Sequence, residues 1–463
     1  MKILVTTILL LLLGVSIIFW GGNLGLTPVE RTPPEIVIAP VPGESLSYTI
    51  SVSDVGAGLD TLLVEATQEA NTFPLLSKRF EGSPARGEAP VSIRGVKGIK
   101  EGSVELKVKL WDSSFWQNTS EKSESFLVDF KPPRLQVISL QHVAAQGGAE
   151  FITYKASDDN LLTHGVQVGE IFFPGAAISD AGFKGASDNS IYASLFALPL
   201  GFERTSSKLE LVALDSSGNR SAVTLNFRIE SKAQRDTNIN LSDDFLMRKN
   251  PELFPGYQRW AAENGIEEPV RDHSMEEPAW QFMLVNRDYR RMLDERLKEI
   301  TRESNRPRLW KEVFIKPMPS ATSSTFGERR TYTYKSRNIG NSVHNGVDLA
   351  SVRNDAVVAA NEGVVVLAEE FGIYGNTILI DHGLGLFTLY GHLSSMAVSK
   401  DDTVSRGQEI GRSGETGLAG GDHLHFEFRL REVPITPIEW WDAKWINDNI
   451  EGKLEELSAP SPL

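Results

Sequence analysis

Hydrophobic positions along this chain follow four successive rhythms. From Ile3 to Trp20 they run without a charge, around a core of Leu9 to Leu13. Between about residues 30 and 230 they alternate in short runs, as in Glu35-Ile36-Val37-Ile38, Val104 to Lys109, Arg134-Leu135-Gln136-Val137 and Leu209 to Val212. Period two predicts half-buried strands. After Ser242, a good helix N-cap, the rhythm lengthens. Trp280, Met283, Leu284, Tyr289, Met292, Leu293 and Leu297 fall mostly at helical spacing with charges between them. Beyond Val313 short strands return, separated by glycine turns. The last, His423 to Leu430, splits cleanly: His423, His425, Glu427 and Arg429 on one face, Leu424, Phe426, Phe428 and Leu430 on the other. This predicts an apolar face below and two imidazoles with a carboxylate above.

The alternating region reads as a tandem repeat. Pro33-Pro34 and Pro132-Pro133 open the two copies. Ser53-Asp54 answers Ser157-Asp158, and Asp112-Ser113-Ser114 answers Asp215-Ser216-Ser217-Gly218-Asn219. The final strands, Ser125 to Val128 and Thr224 to Phe227, also correspond. Two all-β modules of about a hundred residues follow, with an Ig-like β-sandwich as the expected architecture. The whole chain is then mainly β: a membrane segment at 1–22, Ig-like modules at 30–130 and 131–231, a helical connector at 232–312, an antiparallel β domain at 313–445 and a frayed tail at 446–463.

The first segment, about eighteen residues, just reaches the length of a bilayer span. It ends Phe19-Trp20-Gly21-Gly22 without the small-residue cleavage pattern of a signal peptide, which favours an uncleaved anchor over a cleaved leader. Either way the remainder is exported. A formal charge of −14 argues against a nucleic-acid binder, since phosphate contacts require a basic face. With no cysteine, disulfides and thiolate metal sites are excluded, so any zinc must be held by histidine and carboxylate.

Those donors cluster. Five of the eight histidines lie between His344 and His425, in His344-Asn-Gly-Val-Asp348, Asp381-His382-Gly383, Tyr390-Gly-His392 and His423-Leu-His425. Imidazoles two apart on a strand share a face, so one can hold a metal while the other stands beside it, as in a catalytic zinc site. Around them lie Ser324-Thr-Phe-Gly-Glu-Arg329, Ala359-Ala-Asn-Glu-Gly-Val364, Tyr374-Gly-Asn376 and Ile410-Gly-Arg-Ser-Gly-Glu-Thr-Gly417. Together these motifs, roughly Ser324 to Arg429, resemble the LytM/lysostaphin-type zinc metallopeptidases, the murein endopeptidases that cut peptidoglycan peptides. The β modules resemble the Ig-like spacers of bacterial envelope proteins.

The resemblance implies that His344, Asp348 and His425 bind one Zn²⁺, leaving a fourth position for water of lowered pKa. It implies that His392 and His423 are the unligated pair, serving as general base and as stabilisers of the oxyanion, with the assignment between them open. His382 is expected to be structural. Glu427 either orients a ligand imidazole or pairs with Arg429 at the surface. The segment Arg329 to Asn341 reads as a loop beside the site. His142, His164 and His273 are isolated and receive no chemistry. Asp422 stands where many relatives carry proline, which puts bond preference in question but not metal binding. The expected protein is a zinc endopeptidase acting on peptidoglycan peptides, held in the cytoplasmic membrane with its bulk in the periplasm or outside the cell, and without nucleic-acid partners. Two competing readings are an idle relative that binds the wall or activates a murein amidase, and an adhesin whose β modules carry the function.

Overall fold

The computed structural model describes residues 30–457 apart from 42–43, 45, 141–142, 184–189, 268, 272, 306 and 456. The expected membrane segment, His142 and residues 458–463 lie outside the described residues. Among the described residues no helix is long and apolar enough to cross a membrane. The described chain is mainly β with few helices. It forms two compact units: Met1–Pro133 with Asp158–Leu162 and Leu214–Ser221, and Arg134–Ser157 with Thr163–Ala213 and Ala222–Leu463.

Seven strands build the first unit's sheets. Glu35–Pro40, Ser47–Ser53 and Arg86–Ser92 pair in that order; Asn71–Arg79, Leu59–Gln68, Gly102–Asp112 and Thr119–Val128 form the other sheet. Alternation is the cause. In Gly102–Asp112 the side chains of Val104, Leu106, Val108 and Leu110 are fully buried, while Glu105, Lys107 and Lys109 between them stay half-exposed. The inward set shares one core with Ile50, Val52, Leu62 and Val64. Each such side chain contributes about 1.5–3 kcal/mol on burial, so a one-residue slip of register would forfeit the whole row.

In the second unit, two four-stranded sheets built around Ala149–Ser157 and Leu209–Asp215 precede three helices. Helix α1 (Asp243–Glu263) begins at Ser242, whose Oγ accepts the Phe245 amide at 3.2 Å. Helix α2 (Glu277–Leu284) continues through a π turn, Val285–Tyr289, into α3 (Arg290–Ile300). The connector is not wholly helical: Asp236–Asn240 is a strand, parallel to Arg329–Tyr334. That stretch also corrects the expected loop at 329–341, which is a hairpin of Arg329–Tyr334 and Arg337–Val343.

The C-terminal sheet has eight strands. Seven run in the order Ala321–Ser324, Val347–Ala350, Leu424–Leu430, Leu386–Leu393, Asn376–Asp381, Gly363–Glu370 and Thr403–Val404, each antiparallel to its neighbours; Val433–Ile435 pairs beside Leu424–Leu430. Its apolar face lies under aromatic rings, with Trp440 stacked on Phe428 at 5.7 Å and Trp441 on Phe426 at 5.9 Å. The opposite face is covered too. Phe387 and Leu389 share one core with Tyr289, Leu293 and Leu297 of the helical segment. The tail is more ordered than expected. Residues 447–455 are helical, Ile450 and Leu454 are buried, and Lys453 Nζ donates to the Phe151 carbonyl at 2.7 Å.

Candidate metal centre and active site

Strand pairing brings the first three candidate residues together. Asp348 on Val347–Ala350 lies directly opposite His425 on Leu424–Leu430. His344 precedes that strand, and the chain must pass close here: a Cβ on Gly346 would sit 2.4 Å from the Phe426 carbonyl. Asp348 Oδ1 is 3.0 Å from His344 Nε2 and 3.0 Å from His425 Nδ1, and the two nitrogens are 3.1 Å apart. Three donor atoms thus form a near-equilateral triangle in a group able to hold a metal ion. A tetrahedral ion with bonds of about 2.0–2.1 Å separates its donors by roughly 3.3 Å, so the triangle fits such an ion with a small outward relaxation.

Outer hydrogen bonds fix which nitrogen faces inward. His344 Nδ1–H donates to the Thr325 carbonyl at 3.0 Å, which leaves Nε2 for the centre. His425 turns the other way. Its Nε2–H donates to Glu427 Oε1 at 2.8 Å, which leaves Nδ1. Glu427 Oε2 accepts from Arg429 Nη1 at 3.1 Å, and Arg429 Nη2 donates to Asp294 Oδ1 on α3 at 3.1 Å. Glu427 and Arg429 are both fully buried, so the two uses considered for Glu427 coexist, and the ion pair is not at the surface. Such outer partners set ring orientation and basicity in metal sites.

Charge in this cluster follows from the same contacts. Burial alone would raise the Asp348 carboxyl, but His344 and His425 hold it well below the usual carboxylate range. Burial pushes the His425 imidazole down, yet Asp348 and Glu427 outweigh it and lift it to about 9. Two carboxylates therefore draw one positive charge to this point, a proton or a cation. Asp348 Oδ2 is engaged separately by Arg330 Nη2 at 2.7 Å, which also donates to Ser324 Oγ at 2.7 Å. The hairpin places Arg330 there, a partnership that strand spacing alone did not signal.

The remaining two imidazoles stand beside the triangle. The His392 ring is 4.8 Å from that of His423 and 5.8 Å from that of His425. Each donates Nδ1–H to a backbone carbonyl at 2.8 Å, His392 to Thr416 and His423 to Gly421, so each keeps Nε2 as a free acceptor. His423 Nε2 is 3.6 Å from Asp348 Oδ1. Burial, and then the neighbouring His423 and His425, depress His392 well below the ordinary histidine value, so it is neutral near pH 7.

Its position depends on a bulge. Parity along Leu386–Leu393 would aim His392 away from His425, because Gly391 is the residue paired with His425. Between Asn376 and Ile378 the register shifts, and His392 adopts φ 63°. A left-handed backbone is costly for a non-glycine residue, and bulges re-aim side chains next to functional sites. Neither Gly391 nor His392 announces this in sequence.

A cleft of about 590 Å³ opens over the cluster, lined by His344, Asp348, His392, His423 and His425 and walled by Phe245 and Arg248 of α1. Helix α1 is pinned to the same rim: Lys249 Nζ donates to the Glu415 carbonyl at 2.6 Å, and Glu252 Oε1 accepts the Gly417 amide at 2.6 Å. Asp422, next in sequence to His423, accepts from Ser413 Oγ at 2.6 Å and from the Asn354 amide at 3.1 Å. His382 lies outside the cleft and fully buried, with Nδ1 on the Glu362 carbonyl and Nε2 on Thr388 Oγ1. His164 likewise meets Tyr154 Oη at 2.7 Å, away from these residues.

Residues 342–437 match the model of peptidase family M23, so the chain carries an M23 domain there. The peptidoglycan DD-endopeptidase ShyA of Vibrio cholerae is 39% identical over 117 residues, 25% of this chain and 26% of that protein. The DD-carboxypeptidase/endopeptidase Mpg of Neisseria meningitidis is 38% identical over 96 residues, 21% of this chain and 22% of its own length. This chain thus spans about a quarter of the length of the curated relatives it matches. The crystal structure of an M23 peptidase of Pseudomonas aeruginosa aligns over 65% of this chain and 95% of its own, at 16% identity and a TM-score of 0.38.

Proposed function

We propose that this protein is a zinc-dependent endopeptidase that hydrolyses peptide bonds of peptidoglycan. The observation that carries the proposal is the donor triangle of His344, Asp348 and His425 with two unligated imidazoles beside it. Two nitrogens and one carboxylate oxygen, without sulfur, suit zinc in an open catalytic site. Zinc bound there would polarise a substrate carbonyl and make water acidic enough to ionise near neutral pH. The naming of the Vibrio cholerae relative as a peptidoglycan DD-endopeptidase supports the substrate class, and that of the Neisseria relative as a DD-carboxypeptidase/endopeptidase supports the reaction.

The chain's own residues supply the rest. His392, neutral and presenting Nε2, is placed to take a proton from the attacking water. His423, its Nδ1–H held by the Gly421 carbonyl and its Nε2 toward Asp348, would stabilise the oxyanion once Nε2 is protonated, and the proton that His392 takes from water would pass to the leaving amine. Arg330 neutralises Asp348 from the side away from the imidazoles and holds its carboxylate in one orientation. We further assign the two N-terminal modules to Ig-like spacers and the protein to the bacterial cell envelope, tethered by residues 1–22, with the spacers carrying the M23 domain toward the wall.

Full-length protein incubated with isolated sacculi should release new amino groups in a zinc-dependent manner, with muropeptide masses identifying the bond cut. His423→Ala should stop the release. Unchanged release by that variant refutes the mechanism and favours a non-catalytic wall-binding or amidase-activating role.

A further inference from the structure

The two β modules repeat more than a fold. Glu30 lies five residues before the strand Glu35–Pro40, and Asp129 five before Arg134–Val137. Asp54 follows the end of Ser47–Ser53, and Asp158 the end of Ala149–Ser157. Asp112 closes Gly102–Asp112, and Asp215 closes Leu209–Asp215. Each set gathers: Glu30, Asp54 and Asp112 each offer an oxygen within 4.8 Å of the others, and so do Asp129, Asp158 and Asp215.

We propose that each triad is a binding site for a calcium-class divalent cation, one at the entry of each β module. Acidic clusters are common, and Asp112 and Asp215 have donors on both carboxylate oxygens, so the case rests on a buried charge without an ion-pair partner and on one buried oxygen without a donor. Asp54, Asp112 and Asp215 are 4%, 0% and 0% exposed. Among the described residues none of the six carboxylates forms an ion pair, although three negative groups this close repel one another. Asp54 shows the deficit atom by atom. Its Oδ2 accepts the Gly56 and Gly58 amides at 3.2 and 2.6 Å, whereas its buried Oδ1 has no hydrogen-bond donor. In the second copy Asn160 Oδ1, two residues beyond Asp158, is buried and equally without a donor. Buried oxygens are left without donors only at a cost, and a cation removes it.

The surrounding scaffold recurs with the triads. Asn118 Nδ2 donates to the Glu30 carbonyl at 3.0 Å and to Asp112 Oδ2 at 2.8 Å; Asn219 Nδ2 donates to the Asp129 carbonyl at 2.9 Å and to Asp215 Oδ2 at 2.8 Å. Ser120 and Ser221 each donate Oγ–H to the carbonyl of the second proline of the entry pair, Pro34 and Pro133. Both triads thus join an incoming linker to two loops of its module, and a cation at each would fasten linker to module. Oxygen donors alone, from three separate segments, suit calcium, which accepts irregular shells of six to eight oxygens. Magnesium demands a compact octahedron. These sites share no residue with the His344–Asp348–His425 centre, so the proposal stands independently of the peptidase reading.

The test is equilibrium dialysis of the full-length chain, stripped with chelator, against radiolabelled Ca²⁺. Two ions per chain are expected, with dissociation constants on the order of 10⁻⁴–10⁻³ M. Asp54→Asn should remove one ion and Asp158→Asn the other, each variant's remaining ion showing that it is folded; the double variant should bind none. Wild type that binds no calcium at about 10 mM, well above that range, overturns the proposal. So does a double variant that keeps both ions. A stoichiometry of one overturns the duplication, and magnesium binding as tightly as calcium overturns the choice of cation.

Discussion

The His344–Asp348–His425 cluster and the Glu30–Asp54–Asp112 triad each gather three ligand-type side chains, but they are supported in opposite ways. In the first, each imidazole is oriented by an acceptor behind it, and a chain of contacts runs from His425 through Glu427 and Arg429 to Asp294. Positive charge is built into the surroundings, from Arg330 at one end and Arg429 at the other. In the second, no arginine or lysine pairs with the carboxylates among the described residues, and a buried oxygen of Asp54 is left without a donor. An imidazole can ligate through only one nitrogen at a time, so its ring must be aimed from outside. A carboxylate triad needs only proximity and a cation. On the proposed readings, the first arrangement would prepare an ion for chemistry, and the second would take an ion as a missing structural partner.

Removing a donor from the first cluster should have the largest effect. Asp348→Ala or His425→Ala should eliminate stoichiometric zinc retention and reduce amine release by at least about 10³-fold, measured by elemental analysis and sacculus digestion. Calcium uptake should be untouched, and a simultaneous loss of both ions would erase the distinction. His392→Ala should keep its zinc yet lose about 10²–10⁴-fold in turnover, the range for a positioned acid or base. Retention of turnover would remove His392 from the reaction. Glu427→Gln tests the orienting chain, and metal affinity should fall about 10–100-fold by chelator competition. If affinity is unchanged, the support behind His425 is only structural.

A third kind of buried carboxylate supplies the smallest predicted effect. Glu439 accepts the Ala149 amide at 2.9 Å, and burial, aided by nearby Glu150, pushes it up to about 7. It responds to desolvation by holding a proton instead of collecting a cation. The folded chain then binds a proton that the unfolded chain releases near pH 4.3, so stability is greatest below that pH and falls as pH rises toward 7. The loss is on the order of 4 kcal/mol at most. Glu439→Gln should flatten the fall in melting temperature across this window, and an unchanged slope would assign it to other groups.

Much of this is legible in the sequence. The ligand types, the two faces of the last strand, the Ser242 cap and the repeated Ser-Asp and Asp-Ser elements are all local patterns, dictated by period and by the geometry of helix ends and turns. Non-local facts were not legible. That Arg329–Tyr334 is a strand depends on its partners Asp236–Asn240 and Arg337–Val343. Burial of Lys453 beside Phe151 likewise needs a contact roughly three hundred positions away, which makes a polar-looking tail part of the packed protein.

Sequence alone determined which side chains carry metal-binding groups and which shared a strand face, because donor chemistry and the two-residue period are properties of the chain itself. Tertiary structure decided that the polar face of Leu424–Leu430 is buried under helices, that Glu427 and Arg429 are partners within it, and that a bulge carries His392 across to the site. Burial and bulges depend on what packs or pairs opposite, and that information is held by no single segment.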